Sequence, residues 1–134
     1  MERFSQTVSV VTGAGSGIGD LHVLVNGAGT SSESSIIKLT AEEWDQVQET
    51  NLKSIFLVSK TLGKIMIKAS EKKPENEKAY RSIVNIASLS GYKAGARIPH
   101  YSASKAGVIN FTKALALELS PIWHTCKFCF PGVY

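Results

Sequence analysis

Residues 10–29 read VVTGAGSGIGDLHVLVNGAG, and this stretch limits the possible folds more than any other. Two runs rich in valine and leucine, TVSVVTG (7–13) and LHVLVNG (21–27), have the composition of strands buried on both faces. Between them lies a glycine cluster of the kind that lets backbone approach a phosphate, but no helix. About nine residues separate Thr12 from His22, a reach of ~30 Å when extended, whereas a strand of five or six residues needs a return path of only ~17–20 Å. Parallel pairing is therefore possible, yet parallel crossovers normally take a dozen or more residues and a helix. The rival is a glycine-rich hairpin, which pairs the two strands antiparallel and dismantles the phosphate cradle.

Downstream, strand and helix signals alternate without internal repeats. TAEEWDQV opens a helix, with Thr40 and Glu43 spaced as a capping box and acidic residues at the positive end of the dipole. Beyond Asn51 the apolar positions Ile55, Val58, Leu62, Ile65 and Ala69 fall three and four apart, which is one buried helical face. The charged, proline-containing stretch 70–80 reads as a surface loop, RSIVNIAS (81–88) as the next strand, and GYKAGARIP as another loop. From about His100 to Leu119 a helix carries Val108, Phe111, Leu115 and Leu119 inward before Pro121 ends it. Strands alternating with helices imply βαβ units around a parallel sheet.

With 43% hydrophobic and 19% charged residues among 134, the composition is that of one soluble globular domain. The formal charge of +4 is spread along the chain, without the basic stripe that a nucleic-acid surface needs. No apolar run is long enough to span a bilayer, and MERFSQTVSVV lacks the layout of a signal peptide. A reducing intracellular setting is expected, the cytoplasm first and the mitochondrial matrix as the alternative. Cys126 and Cys129 form a lone CKFC near His124. Without a second ligand pair, and without a helix for them to open, they read as a short strand with thiols on opposite faces, so no metal is expected.

One group of residues carries chemistry. Tyr101 and Lys105 in YSASK are four apart on the expected helix, so both side chains leave the same face. The plainer alternative is a tyrosine packed near the core with a lysine stem beside it. Ser88 and Ser90 end the preceding strand, at the edge where open α/β sheets place their ligands. The glycine cluster after the first strand is expected to face that same edge.

On these residues the chain resembles the short-chain dehydrogenase/reductase family, and within it the group of 17-beta-hydroxysteroid dehydrogenase type 8 and 3-oxoacyl-carrier-protein reductase. TGAGSGIG is similar to the family's TGxxxGxG cofactor loop at Thr12, Gly13, Gly17 and Gly19, and NGAG to its NNAG element, with Gly27 in place of the second Asn. TNLKS resembles the segment of the active-site Asn, here Asn51, and IVNIASLSG that of the active-site Ser, here Ser88. YSASK resembles the YxxxK signature, and Pro131 with Gly132 the PG element that follows the next strand.

The resemblance implies an α/β fold with a Rossmann-like doubly wound parallel sheet. It implies an NAD- or NADP-dependent oxidoreductase that interconverts a hydroxyl and a ketone on a steroid or a 3-oxoacyl thioester. Tyr101 would be the general acid/base, Ser88 the donor to the substrate oxygen, and Asn51 part of a water relay that recharges the tyrosine. Lys105 would bond the nicotinamide ribose and supply a cation; a free phenol holds its proton with a pKa near ~10, and a cation within ~4–6 Å favours the phenolate. Cofactor contacts are implied for Gly13, Ser16, Gly17, Ile18, Gly19, Asn26, Ala28, Gly29, Tyr101, Lys105, Pro131 and Gly132. Read without the family, Asn51 has a plainer alternative role, which is to satisfy backbone groups where the helix is interrupted.

Against the family pattern, Asp20 and Leu21 follow Gly19 directly. The second and third strands with their helices are missing, including the residue that would separate NAD from NADP, and so are the C-terminal elements that cover substrate and build tetramers. The expectation is one incomplete domain over 1–134, a shortened product such as a splice variant or fragment. Two functions compete. One is the oxidoreductase, acting on a small carbonyl or alcohol. The other is a catalytically silent chain that at most pairs with a complete homologous subunit through the helices after Asn51 and Tyr101. The homo-oligomer usual in the family is in doubt, and neither nucleic acid nor membrane is expected as a partner.

Overall fold

The computed structural model describes residues 9–12, 21–74, 81–119 and 125–129. Strands β1 (Ser9–Thr12), β2 (Val23–Asn26), β3 (Ser82–Ile86) and β4 (Thr125–Cys129) form one sheet in the order β1-β2-β3-β4. β2, β3 and β4 are parallel, with Val23 beside Ser82 and Ser82 beside Thr125. The expected incomplete parallel α/β core is therefore present.

β1 departs from it. It pairs antiparallel with β2, Ser9 beside Asn26 and Thr12 beside Val23. An all-parallel sheet is thus corrected at its first strand, because about ten residues between Thr12 and Val23 close a hairpin far more readily than a crossover. The register has a functional consequence. Thr12 ends β1 at the edge where β2 and β3 begin, opposite the edge of Asn26 and Ile86, so the glycine segment does not leave from the expected ligand edge.

α1 (Ala41–Gln48) starts as its sequence dictates, with Glu43 N donating to Thr40 Oγ1 at 3.1 Å and Thr40 N to the Glu43 carboxylate at 3.4 Å. A π-helical turn, Glu49–Lys53, then leads into α2 (Ser54–Glu71), and a 3-10 turn (Leu89–Gly91) separates β3 from α3 (Pro99–Leu119). The expected inward face of α2 is real: Ile55 and Ala69 are buried, Val58 and Leu62 partly so. Leu21, Leu24 and Ile83 pack with Met66 beneath Val58 and Leu62 of α2 and Leu115 and Leu119 of α3. Ile55, Ala87, Val108 and Ile109 form a second cluster nearer the ends of the strands.

Both long helices therefore share one face of the sheet. β2 and β3 bury Leu24, Asn26, Ile83 and Asn85, while the alternating Val23, Val25, Val84 and Ile86 stay only half-buried. The doubly wound arrangement is one-sided among the described residues. None of their helices is long and apolar enough to cross a membrane.

Between the two clusters runs a buried polar chain. Asn26 Nδ2 donates to Ser59 Oγ at 3.2 Å and to Asn85 Oδ1 at 2.8 Å, and Asn85 Nδ2 donates to Thr112 Oγ1 at 2.9 Å. Asn26 and Asn85 are register partners, so the chain ties β2 and β3 to each other and to both helices. A slip of one residue between the two strands would turn one amide to the other face and break its bond to the second, which fixes the register that the site depends on.

Candidate functional site

The site forms where the ends of β2 and β3 meet the first turns of α3. Lys105 is buried, and its Nζ donates to the carbonyl of Ile86, the last residue of β3, at 3.0 Å. The same Nζ lies 5.7 Å from the centroid of the half-buried Tyr101 ring, so the four-residue spacing does bring the pair together. Gly29, on the loop after β2, completes the cluster: a Cβ there would sit 3.6 Å from Lys105 Nζ and 3.7 Å from Asn51 Oδ1.

Asn51 sits fully buried in the π turn, a device common at functional sites. Its Oδ1 accepts from Thr30 N at 2.7 Å, and its Nδ2 donates to Thr30 O at 2.9 Å and to Ser104 Oγ at 3.0 Å. The side chain thus satisfies backbone groups of the β2–α1 loop and links that loop to α3.

Ser88 lies two residues beyond Ile86 and caps the 3-10 turn, its Oγ accepting from Ser90 N at 3.2 Å. Accepting leaves the hydroxyl hydrogen available to another oxygen. No hydrogen bond joins Ser88 to Tyr101 among the described residues. Their relative placement is instead set by Gly91, where a Cβ would meet Lys105 carbonyl carbon at 2.8 Å, Lys105 O at 2.9 Å and Ile109 Cδ1 at 2.6 Å. The backbone of α3 cannot yield, so Gly91→Ala is expected to cost about 1–3 kcal/mol and to push the Ser88 turn off the helix. Urea unfolding checks the first effect.

Burial pushes the Lys105 ammonium below its ordinary pKa of 10.5. Between the lowered folded value and 10.5 the unfolded chain binds more protons than the native one, so stability rises with pH across that window. Lys105→Met removes this contribution. The stability difference between the parent chain and Lys105→Met is therefore expected to shift in favour of the parent as pH climbs toward 10.5, in parallel denaturant titrations.

Other expected positions fall elsewhere. The Asn26 amide is committed to the buried chain below the site, so any contact it makes there uses main chain. Ala28 is buried and Gly29 exposed. Gly13, Ser16, Gly17, Ile18, Gly19, Pro131 and Gly132 lie outside the described residues. Tyr101, Lys105 and Gly29 fit the nicotinamide-ribose end of a dinucleotide, whereas β1 ends at the opposite edge from them. Sequence reasoning missed Ser32, Gln48, His100 and Ser104, polar residues whose partners become visible only once the loops are placed. An apolar groove of about 440 Å³ lies between the π turn and α3 and another of about 320 Å³ between α2 and α3, both beside Phe56 and Phe111, and none of Asn51, Ser88, Tyr101 and Lys105 lines them.

Comparison with known proteins bears on this geometry. The family described as short chain dehydrogenase matches residues 1–134. The chain is 43% identical over 100 residues to acetoacetyl-CoA reductase of Acinetobacter sp., covering 75% of this chain and 37% of that protein. It is 37% identical over 112 residues to the 3-oxoacyl-(acyl-carrier-protein) reductase FabG of Buchnera aphidicola, covering 84% and 42%. A crystal structure from Agrobacterium tumefaciens, described as a 2-deoxy-d-gluconate 3-dehydrogenase with bound NADP, superposes with a TM-score of 0.66 at 32% identity, covering 75% of this chain and 38% of that one. The chain spans about two fifths of the length of the curated relatives it matches.

Proposed function

Because the chain belongs to the short-chain dehydrogenase family, we propose that it carries the proton-handling site of an oxidoreductase that interconverts a hydroxyl and a ketone. The supporting observation is the convergence of Tyr101, the anchored Lys105 ammonium and Gly29 at the edge where β2 and β3 end. The names of the acyl-thioester reductases among its relatives favour a 3-oxoacyl thioester over a steroid as substrate.

A bound nicotinamide nucleotide, NAD or NADP, would supply or accept the hydride. Tyr101 gives its phenolic proton to the ketone oxygen during reduction and takes it back during oxidation. The free hydrogen of the Ser88 hydroxyl donates to the same oxygen. Lys105, held by Ile86 O, keeps a positive charge beside the phenol as its proton leaves, and its remaining ammonium hydrogens suit the ribose hydroxyls. Asn51 holds the π turn and the Thr30 loop that wall the path along which Tyr101 is reprotonated.

Titration of purified chain with NADH and NADPH, followed by nicotinamide fluorescence, tests this reading. Saturable binding with turnover of a 3-oxoacyl thioester is expected. Absence of binding overturns it in favour of a second reading, a silent chain that pairs with a complete subunit. Two observations favour that alternative: β1 ends away from the site edge, and Phe56 (44% exposed) and Leu57 (48%) present apolar side chains to solvent near the start of α2.

A further inference from the structure

His100, the residue before Tyr101, is fully buried, yet the proposed chemistry gives it no task. Its Nε2 lies 2.9 Å from Ser32 Oγ, on the loop that follows β2. Its carbonyl accepts a hydrogen bond from Gln48 Nε2 at 2.8 Å, at the last residue of α1. Its second ring nitrogen, Nδ1, is buried without a partner among the described residues. An orphaned N–H in such a place is rarer and costlier than an orphaned lone pair, so the hydrogen belongs on Nε2, donated to Ser32.

The neighbours of Tyr101 are stitched down in the same way. Ser102 Oγ accepts from Gly95 N at 3.3 Å, and Ser104 Oγ donates to Tyr101 O at 2.7 Å while receiving Asn51 Nδ2. The Tyr101 hydroxyl has no such bond among the described residues. Its pairing with Lys105 follows from their spacing on one helix, but where that turn stands against the sheet edge and the β2–α1 loop is set by what holds the turn. Buried polar groups normally have all their partners, so a ring that keeps one nitrogen unpaired carries a cost that needs a reason.

We propose that His100 is a positioning residue for Tyr101: through Ser32 its ring pins the first turn of α3 to the β2–α1 loop, beside the bond that Gln48 makes to its main chain, and so fixes the turn that carries Tyr101 and Lys105 against Gly29. This rests on the reading of Tyr101 as the acid/base, but its test does not need turnover. The nuclear Overhauser contact between the Gly29 α-protons and the Lys105 ε-methylene, on the two sides of that junction, reports the placement directly in the ligand-free chain. His100→Ala is expected to lose that contact while the rest of the spectrum stays dispersed, and His100→Gln, whose amide reaches toward Ser32, to keep it. If His100→Ala does not fold, Ser32→Ala removes only the partner oxygen and is expected to weaken the same contact. A folded His100→Ala, or failing that a folded Ser32→Ala, with the contact intact overturns the proposal. Where turnover is measured, kcat of His100→Ala falls about tenfold to a hundredfold with KM unchanged, and His100→Gln restores it. Failure of nicotinamide binding in the parent chain would count against the oxidoreductase reading alone.

Discussion

Asn51→Ala is expected to lower the stability of the folded chain by about 3–5 kcal/mol, measured as a fall in the urea midpoint with the slope unchanged. The side chain is fully buried and makes three hydrogen bonds, two with the main chain of Thr30 and one with Ser104 Oγ. Deleting it leaves the part-buried N–H and carbonyl of Thr30 unpaired, each at a cost of about 1–3 kcal/mol less whatever water restores, while Ser104 Oγ loses one donor but keeps its bond to Tyr101 O. Natural domains hold only about 5–15 kcal/mol, and a sheet whose described helices cover one face sits low in that range. Asn110→Ala, at an exposed position of α3, is the control and is expected to stay within about 0.5 kcal/mol of the parent. A loss below about 1 kcal/mol for Asn51→Ala would show that these three bonds do not hold the π turn. The expected loss also means that an inactive Asn51→Ala cannot by itself assign Asn51 to a proton relay, because the loop that walls the site goes with it.

Sequence reasoning and structure part company where pairing is decided at a distance. The capping box at Thr40, the apolar stripe of α2 and the shared face of Tyr101 and Lys105 are local, set by spacing on one helix, and all are found. The direction of β1 is not local. Its residues suit a strand in either sense, and only the shortness of the connection to β2 favours the hairpin. Asn26 and Asn85 sit inside apolar runs, where the sequence marks them as polar without naming a partner; the parallel register supplies it. Arg81 shows the same limit. It opens the expected strand 81–88 directly after a charged loop, where nothing local asks for a buried cation, yet it is 1% exposed, and its guanidinium donates to the carbonyl of Leu21. His100 gives no periodic signal, since it lies at the start of α3 ahead of the apolar positions Val108, Phe111, Leu115 and Leu119, and nothing marks it as buried until Ser32 is brought to it.

Tyr101→Phe separates chemistry from architecture more cleanly than any change at Asn51, and is expected to reduce turnover by about 10²–10⁴-fold with little effect on folding or nicotinamide affinity. The hydroxyl makes no hydrogen bond among the described residues, so removing it strands no partner, and the ring that faces Lys105 Nζ at 5.7 Å remains in place. A surface-accessible oxygen lost in this way should change stability by no more than about 0.5 kcal/mol. If the phenol is the proton donor, the loss falls on kcat and kcat/KM together, because the interaction exists only as the proton moves. Lys105→Met behaves differently, since it also breaks the bond to Ile86 O that holds α3 against the end of β3. The pair of variants therefore distinguishes a residue that transfers the proton from one that also holds the frame. Retention of turnover within about tenfold in Tyr101→Phe would remove the phenol from the reaction and leave Lys105 and His100 as the candidates on that part of α3 among the described residues.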